Sequence, residues 1–255
     1  MDIRAISLQS GSNGNCIYVE TANVRILFDA GLSGADAERR LASRGRRIRD
    51  VDAVIISHDH SDHVRHAGVF QRKFGLPLYI TRDTLDVALA RHTLGQLSDV
   101  RYFYAGEPIR IGDITIRTIP TPHDGADGVV FVLECCSKRL GIMTDLGHVF
   151  EGLKKEMTCL DAVFIESNYD PAMLAASPYP AHLKKRIRGP QGHISNLESA
   201  DLLLSGKRLK WACLSHLSHH NNYPALAIKT HQAILSKSLK LHLAGRNEAT
   251  GVLGV

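Results

Sequence analysis

The sequence predicts an α/β fold in which a mixed β-sheet is covered by helices. Three observations predict it: short strands open the chain, strands then alternate with helices, and polar clusters follow directly after apolar strands. The 255 residues are 44% hydrophobic, which is enough for a substantial core, and they contain no internal repeat or linker. We therefore expect a single domain over residues 1–255.

The first half predicts a β-meander followed by alternating strands and helices. Strands are expected at 3–8, 16–21, 24–29, 51–57 and 78–80, and helices at 33–44, 62–74 and 82–91. Gly45 should end the first helix, and Gly75 with Pro77 should end the second. Asn13-Gly14 indicates a turn, because the sequence of a phosphate-binding loop does not follow it.

The second half returns to strands before it closes with helices. Strands are expected at 100–104, 108–120, 128–135, 139–144, 161–166, 210–214 and 239–243, and helices at 197–204 and 224–236. Ser195 and Glu198 form a capping-box pattern ahead of the helix at 197. Residues 168–180 are expected to be a loop, and the tail 244–255 to be poorly anchored.

The organising feature is a cluster of metal-type ligands directly after the strand at 51–57. It contains His58, His60, Asp62 and His63, the last two on a predicted helix, so that side chains from two elements converge. Imidazole and carboxylate suit zinc, manganese or iron, and the lack of cysteine argues against a closed structural zinc site. The alternative is a histidine-rich surface loop that binds metal only by accident.

Four further side chains follow apolar strands in the same way. His123, Asp145 and His216 would complete the ligand set, and Asp29 would support a metal-bound histidine. Seven ligands exceed the needs of one tetrahedral metal and suit two metals about 3.5–4 Å apart. We expect Asp145 to bridge them, and a hydroxide shared by both metals to act as the nucleophile of a hydrolase.

A basic segment precedes a further candidate residue, His193. It contains Lys184, Lys185, Arg186 and Arg188, which are candidates for phosphate contacts, as is Ser195. His193 lies just before a predicted helix N-terminus, where free N–H groups attract anions. The alternatives are a solvated charged face and a histidine in a capping loop.

Composition sets outer limits on location and partners. The formal charge of +5 permits a polyanionic partner without requiring one. No run of 18 apolar residues occurs, the N-terminus lacks a secretory pattern, and the five cysteines form no C-x-x-C pair. We therefore expect a cytoplasmic protein that does not enter a membrane.

The pattern His58-x-His60-x-Asp62-His63, with His123, Asp145 and His216 downstream, resembles the metallo-β-lactamase superfamily. The resemblance implies a four-layer αβ/βα sandwich of two mixed β-sheets flanked by helices, with two divalent metals at one edge. It assigns His58, His60 and His123 to one metal, Asp62, His63 and His216 to the other, and Asp145 to the bridge. Zinc or manganese would be the metals, with iron as an alternative.

Finer motifs resemble the small bacterial exonucleases of the WalJ type. They are the segments 10–16, 122–124, 192–196 and 214–222. This resemblance implies a DNA exonuclease acting at the 5′ end, with DNA favoured over RNA, in which Asp62, Asp145 and His193 are catalytic and His193 protonates the leaving oxygen. His193-Ile194-Ser195 also resembles a ribonuclease Z signature.

Two other classes stay open. A small-molecule hydrolase acting on a cyclic phosphodiester, lactone or thioester would keep the metals and not need the basic segment. A redox diiron protein or a catalytically idle metal-binding module would use a similar fold without hydrolysis.

Overall fold

The computed structural model describes residues 3–255. The strands are β1 Arg4–Gln9, β2 Cys16–Glu20, β3 Arg25–Phe28, β4 Ala53–Ile55, β5 Leu78–Ile80, β6 Val100–Tyr102, β7 Ile109–Ile111, β8 Ile114–Pro120, β9 Val129–Cys135, β10 Lys138–Met143, β11 Ala162–Glu166, β12 Trp211–Ser215, β13 Lys240–Leu243 and β14 Leu253–Gly254. The helices are α1 Gly34–Ala42, α2 Ser61–Val64, α3 Ala67–Phe74, α4 Arg82–Arg91, α5 Glu151–Met157, α6 Pro171–Ala176, α7 Ala181–Arg188, α8 Asn196–Leu204 and α9 Pro224–Ile234.

The strands form two mixed sheets of seven strands each. The first has the order β14-β1-β2-β3-β4-β5-β6, and the second has the order β13-β12-β11-β10-β9-β8-β7. Within the first sheet, β3 to β6 pair in parallel, and within the second sheet β10 to β13 do the same. The carboxyl ends of parallel neighbours lie at one edge, so the loops that follow them are brought together.

Three apolar clusters separate four layers. The cluster between the sheets includes Phe28 and Phe131, whose ring centroids are 5.0 Å apart. A second cluster joins the first sheet to α1, α3 and α4, and a third joins the second sheet to α5, α8 and α9. Since full burial of a large apolar side chain contributes about 1.5–3 kcal/mol, these clusters account for the packing of helices on both outer faces. The predicted four-layer sandwich is confirmed.

Several predicted boundaries were wrong. The strand expected at 108–120 is two strands joined at Gly112, whose φ of +53° breaks the extended run. The helix expected at 62–74 is divided into α2 and α3. Helix α5 was not predicted, and neither was α7, which carries the basic segment. The expected loop 168–180 contains α6, which begins because Asp170 caps its N-terminus and Pro171 occupies the first turn.

The expectation of a poorly anchored tail was also wrong. Strand β14 pairs with β1, and the Val255 N–H donates to the Ile3 carbonyl. The side chains of Ala249 and Val255 are buried, and the Arg44 guanidinium donates to the carbonyls of residues 249 and 250. The tail is therefore fixed as an edge strand, a long-range pairing that its short polar sequence does not indicate.

No helix within residues 3–255 combines the length and the apolar character needed to cross a bilayer.

Candidate metal centre

The 58–63 cluster lies at the carboxyl end of β4, as predicted. His58 and His60 belong to the extended segment that follows the strand, whereas Asp62 and His63 lie on α2. The fully buried Asp59 side chain fixes this segment, because it accepts hydrogen bonds from the Arg91 guanidinium at 2.6 Å and the Ala126 N–H at 2.6 Å. Both histidine rings and the Asp62 carboxylate therefore project toward the same edge of the sheet.

The second sheet supplies the rest of the donors. Asp145 follows β10, and His216 follows β12. Strand β8 runs antiparallel to β9, and β9 runs antiparallel to β10, so the loop carrying His123 emerges at the same edge. Donor atoms within 4.8 Å of one another form overlapping groups: His58, His60 and His123; His58, His63 and Asp145; Asp62, His63 and His216; and Asp145, Glu166, His193 and His216.

Two of the histidines are oriented by carboxylates outside the cluster. His63 Nδ1 lies 2.7 Å from Asp29 Oδ2, and Asp29 Oδ1 also accepts from the Ser57 N–H at 2.8 Å. His60 Nε2 lies 3.3 Å from Asp124 Oδ1. A carboxylate on one ring nitrogen fixes the tautomer and makes the other nitrogen the metal-binding atom. These contacts leave His63 Nε2 and His60 Nδ1 facing inward.

The other three histidines have neutral or mixed partners on their outward nitrogens. His123 Nδ1 donates to the Gly192 carbonyl at 2.8 Å, and His58 Nδ1 lies 2.9 Å from Ser57 Oγ. His216 Nδ1 lies 3.1 Å from the Asn168 amide nitrogen and 3.4 Å from Glu166 Oε1. In each ring the Nε2 atom is left to face the cluster.

The inward atoms are polar, close together and partly without hydrogen-bond partners. His58 Nε2 and Asp145 Oδ2 are buried and make no hydrogen bond within residues 3–255. His60 Nδ1 and His123 Nε2 are only 3.2 Å apart, and His216 Nε2 is 3.3 Å from Asp62 Oδ2. Buried polar atoms without partners are costly, and a divalent cation satisfies such imidazole and carboxylate donors. The residues present therefore fit a divalent metal site.

The electrostatics of the cluster agree with that assignment. Burial lowers the pKa of His58 and of His60, so both rings are neutral and have a lone pair to offer. Burial opposes a charge on His216, but Asp145, Asp62 and Glu166 raise its pKa to about 10. Burial also opposes ionisation of Asp145, yet the surrounding histidines hold the pKa of its carboxyl well below the usual range. The carboxylates thus retain negative charge that a cation can neutralise.

His193 stands at the rim of this cluster. Its Nδ1 lies 2.6 Å from Glu166 Oε1, and its Nε2 makes no hydrogen bond within the described residues. The other oxygen of Glu166 accepts from the N–H groups of Leu146 and Ile194, so the glutamate is fully engaged as a support. Burial raises the pKa of Glu166, but His193 and His216 outweigh that effect and lower it to about 2. The Glu166 carboxylate is therefore a charged support for the partly exposed imidazole of His193.

The basic segment lies on α7, and its members differ in position. Arg186 lines the cleft over the cluster and pairs with Asp124 at 2.7 Å. Lys184 Nζ donates to the Ala175 carbonyl, and Lys185 and Arg188 are exposed on the helix. The Ser195 hydroxyl is engaged in the predicted capping box with Glu198. Contacts of these five residues with substrate stay predictions.

Two site residues were missed from the sequence. Glu166 is the last residue of the apolar strand β11. Asp29 and Asp145 were identified because they lie at the ends of apolar strands, and the same signal could have identified Glu166. Asn15 was not singled out as a site residue, yet its side-chain amide lies 2.9 Å from His63 Nε2 and 3.2 Å from Asp62 Oδ2. No local signal marks Asn15, because its proximity depends on how the β1–β2 loop packs against α2.

The chain is similar to known proteins over most of its length. Residues 10–149 match the family model described as the metallo-beta-lactamase superfamily. The chain is 35% identical over 227 residues to "Exodeoxyribonuclease WalJ" of Streptococcus pneumoniae, which covers 88% of this chain and 84% of that protein. It is 34% identical over 226 residues to "Exodeoxyribonuclease YycJ" of Bacillus anthracis, which covers 86% and 84%.

A solved structure shares the fold over nearly the whole length. The metallo-beta-lactamase fold protein YhfI from Bacillus subtilis superimposes with a TM-score of 0.75 at 16% identity, covering 97% of this chain and 99% of that chain. Three observations indicate the same superfamily: the ligand motif, the two-sheet sandwich and the family match over more than half of the chain. The chain belongs to the metallo-β-lactamase superfamily.

Proposed function

We propose that the chain is a phosphodiester hydrolase that uses two divalent metal ions, and that its substrate is DNA, cleaved from the 5′ end. Membership of the superfamily makes a hydrolase the expected activity, and both exodeoxyribonuclease relatives support a DNA substrate rather than RNA. The observation that carries the proposal is the convergence of seven inward donors beside His193, whose Nε2 makes no hydrogen bond within residues 3–255. A DNA substrate also favours a cytoplasmic location.

The donor groups suggest how the metals would be held. One metal would be bound by His58, His60 and His123, and the second metal by Asp62, His63 and His216. Asp145 would contact both metals, since its carboxylate lies within reach of either group. When bound, such metals activate water and offset negative charge on phosphate. Zinc or manganese suits these donors, and iron is the alternative.

The chain's own residues supply binding and proton transfer. Arg186 and the exposed lysine and arginine side chains of α7 would contact flanking phosphates without reading sequence. His193 would donate its Nε2 proton to the leaving oxygen, and Glu166 would stabilise the protonated imidazole at Nδ1. Asp62 and Asp145 would act by holding the divalent cations, whose positive charge would offset the negative charge of the reacting phosphate.

The test compares leaving groups that do and do not need a proton. His193→Ala should lower kcat on 5′-phosphorylated duplex DNA by about 10²–10⁴-fold, the usual contribution of general acid catalysis. On a bis(4-nitrophenyl) phosphate the loss should be much smaller, because 4-nitrophenolate leaves unprotonated. Asp145→Ala should abolish both activities, and His182→Ala, on the exposed face of α7, should retain both.

Two results would contradict the proposal. Unchanged turnover of DNA by His193→Ala, with Asp145→Ala inactive, would remove the general-acid role. Hydrolysis of a β-lactam, with no cleavage of DNA, RNA or the aryl phosphate, would overturn the assignment to phosphodiesters.

A further inference from the structure

A cavity near the candidate metal centre lies on the far side of the His216 loop. It has a volume of about 640 Å³, within the range of small-molecule sites. The residues of its wall that matter here are Ser10, Leu217, His219, Tyr223, Leu243 and Arg246. Ser10 Oγ accepts from the His216 N–H at 2.7 Å, and Leu217 follows that ligand directly. One loop therefore borders both the metal cleft and the cavity.

Arg246 lies on the boundary between the two spaces. Its guanidinium donates to Asn13 Oδ1 at 2.8 Å, to the Leu217 carbonyl at 3.2 Å and to Ser12 Oγ at 3.5 Å, and Ser12 lines the metal cleft. All three acceptors are neutral, and no carboxylate lies within ion-pair distance of Arg246 in residues 3–255. Asp62 attracts the guanidinium from beyond ion-pair distance. A partly buried cation with no ion-pair partner favours an anion beside it.

Other residues that line the cavity are apolar or aromatic. Tyr223 begins the turn into α9 and is 51% exposed, although large aromatic side chains are usually covered. Leu217 and Leu243 are partly buried members of the adjoining apolar cluster. An exposed aromatic ring beside aliphatic side chains suits the face of a nucleobase, which stacks without regard to sequence.

We propose that this cavity receives a nucleoside of the DNA strand next to the phosphodiester held at the metal centre, and that Arg246 contacts the phosphate joining them. The inference rests on the proposed function, since it takes the metal cleft to hold a phosphodiester. Arg246, which makes no ion pair within residues 3–255, would face the phosphate, and the apolar wall would face the base, so one site matches both halves of a nucleotide. Loss of the base contact should weaken transition-state binding about 5- to 150-fold, the range of one base–aromatic stack.

The test uses metal-loaded enzyme and substrates with one leaving group. Thymidine 5′-(4-nitrophenyl phosphate), its 3′ isomer and methyl 4-nitrophenyl phosphate all release 4-nitrophenolate and differ in whether a nucleoside is present. Wild type should prefer at least one nucleoside ester over the methyl ester, and Tyr223→Ala should lower that preference in kcat/KM about tenfold. Tyr104→Ala removes another exposed ring, which does not line the cavity, and should retain the preference.

Arg246 is tested by salt dependence. Binding of a phosphorothioate single strand, measured by fluorescence anisotropy over a range of salt, should lose about one unit of slope in Arg246→Gln. Arg110→Gln, on the exposed edge strand β7, is the matched control and should retain the slope.

The outcomes separate this inference from the proposed function. If wild type cleaves DNA and Tyr223→Ala retains the full nucleoside preference, the cavity assignment is wrong while the hydrolase stands. If wild type cleaves no phosphodiester, equilibrium dialysis of thymidine 5′-monophosphate decides: weaker binding by Tyr223→Ala than by Tyr104→Ala supports the cavity, and equal binding overturns it.

Discussion

Three residues of the candidate metal centre have a left-handed backbone. Asp29, Asp145 and His216 have φ values of 65°, 57° and 56°. Asp29 and His216 come directly after a strand, and Asp145 comes one residue later. For residues other than glycine this conformation costs about 1–3 kcal/mol, and aspartate tolerates it better than most. The sharp turn keeps each side chain at the shared edge, where a continued extended chain would alternate its direction. Strain is thus concentrated where donors must converge.

At the same scale, replacement of Glu166 by Gln tests its support of His193. Glu166→Gln retains the volume but places a neutral amide 2.6 Å from His193 Nδ1, where a carboxylate now accepts. We expect kcat on DNA to fall about 10- to 100-fold, the usual effect of losing such a support, with metal content unchanged. Turnover and metal analysis of the same preparation check this.

The control for this replacement is Glu134→Gln, a glutamate paired with Arg117 and Arg139 on strand β9. It should show wild-type turnover. If Glu166→Gln lost both its bound metal and its activity, Glu166 would instead be a metal ligand.

The candidate donors could be singled out from the sequence because they follow apolar strands, a signal that is local. The nitrogen that each histidine presents was not predictable, since it depends on partners such as Asp124 for His60 and Gly192 for His123, which lie 64 and 69 positions away. The cavity around Tyr223 could not be predicted from the sequence either, because the residues that line it come from loops far apart in the chain.

At the scale of elements, the loop after β3 packs against α2 through a glycine. A Cβ built on Gly31 would lie 1.7 Å from the Asp62 carbonyl oxygen and 2.5 Å from the Asn15 nitrogen, so backbone must move. We expect Gly31→Ala to displace α2, lower the free energy of unfolding by about 1–3 kcal/mol and weaken metal binding. Urea denaturation and metal titration measure the two effects.

Gly251→Ala is the matched control, because its Cβ would meet no atom within 4 Å. A Gly31→Ala protein with wild-type stability and metal affinity would show that α2 shifts without consequence for the ligands.

Helices α8 and α9 meet at a buried histidine that makes stability depend on pH. His231 lies between the Ala227 carbonyl and Ser199 Oγ, and burial lowers its pKa below the ordinary value. The unfolded chain, with a pKa near 6.5, therefore binds more protons, so stability present above about pH 6.5 is lost as pH falls toward the folded pKa. Each unit of difference amounts to about 1.4 kcal/mol.

His231→Gln removes this proton uptake. In metal-saturated protein, we expect the free energy of unfolding to fall less between pH 7.5 and 5.5 in His231→Gln than in wild type. The exposed His182→Gln should follow wild type. Parallel pH curves for all three proteins would show that His231 does not contribute.

Elements with strong caps or alternating patterns were predicted well, whereas short pairings were not. The Ser195 capping box and the Gly75 C-cap are confirmed, because both are set by residues within one turn. Strand β14 has two residues, and its pairing with β1 depends on contacts about 250 positions apart. Sequence pattern contains little information on such contacts.

At the scale of the molecule, the candidate metal centre draws its donors from both sheets. His58, His60, Asp62 and His63 extend from the first sheet, and the three remaining donors from the second. We propose that residues 1–255 form one domain, because the cluster between the sheets is continuous and metals would tie both halves at one edge. Unfolding should then be a single cooperative transition.

Removal of metal tests this arrangement. A ligand present at 100 times its Kd stabilises the folded state by about 2.7 kcal/mol, which corresponds to roughly 5–10 °C in Tm for a chain of this size. Chelation should therefore lower Tm by that amount in one transition and abolish hydrolysis, and added zinc or manganese should restore both. Chelator presaturated with the same metal is the control and should leave Tm unchanged. Two separate transitions would show that the sheets unfold as independent units, and an unchanged Tm in stripped protein would show that the metals do not join them.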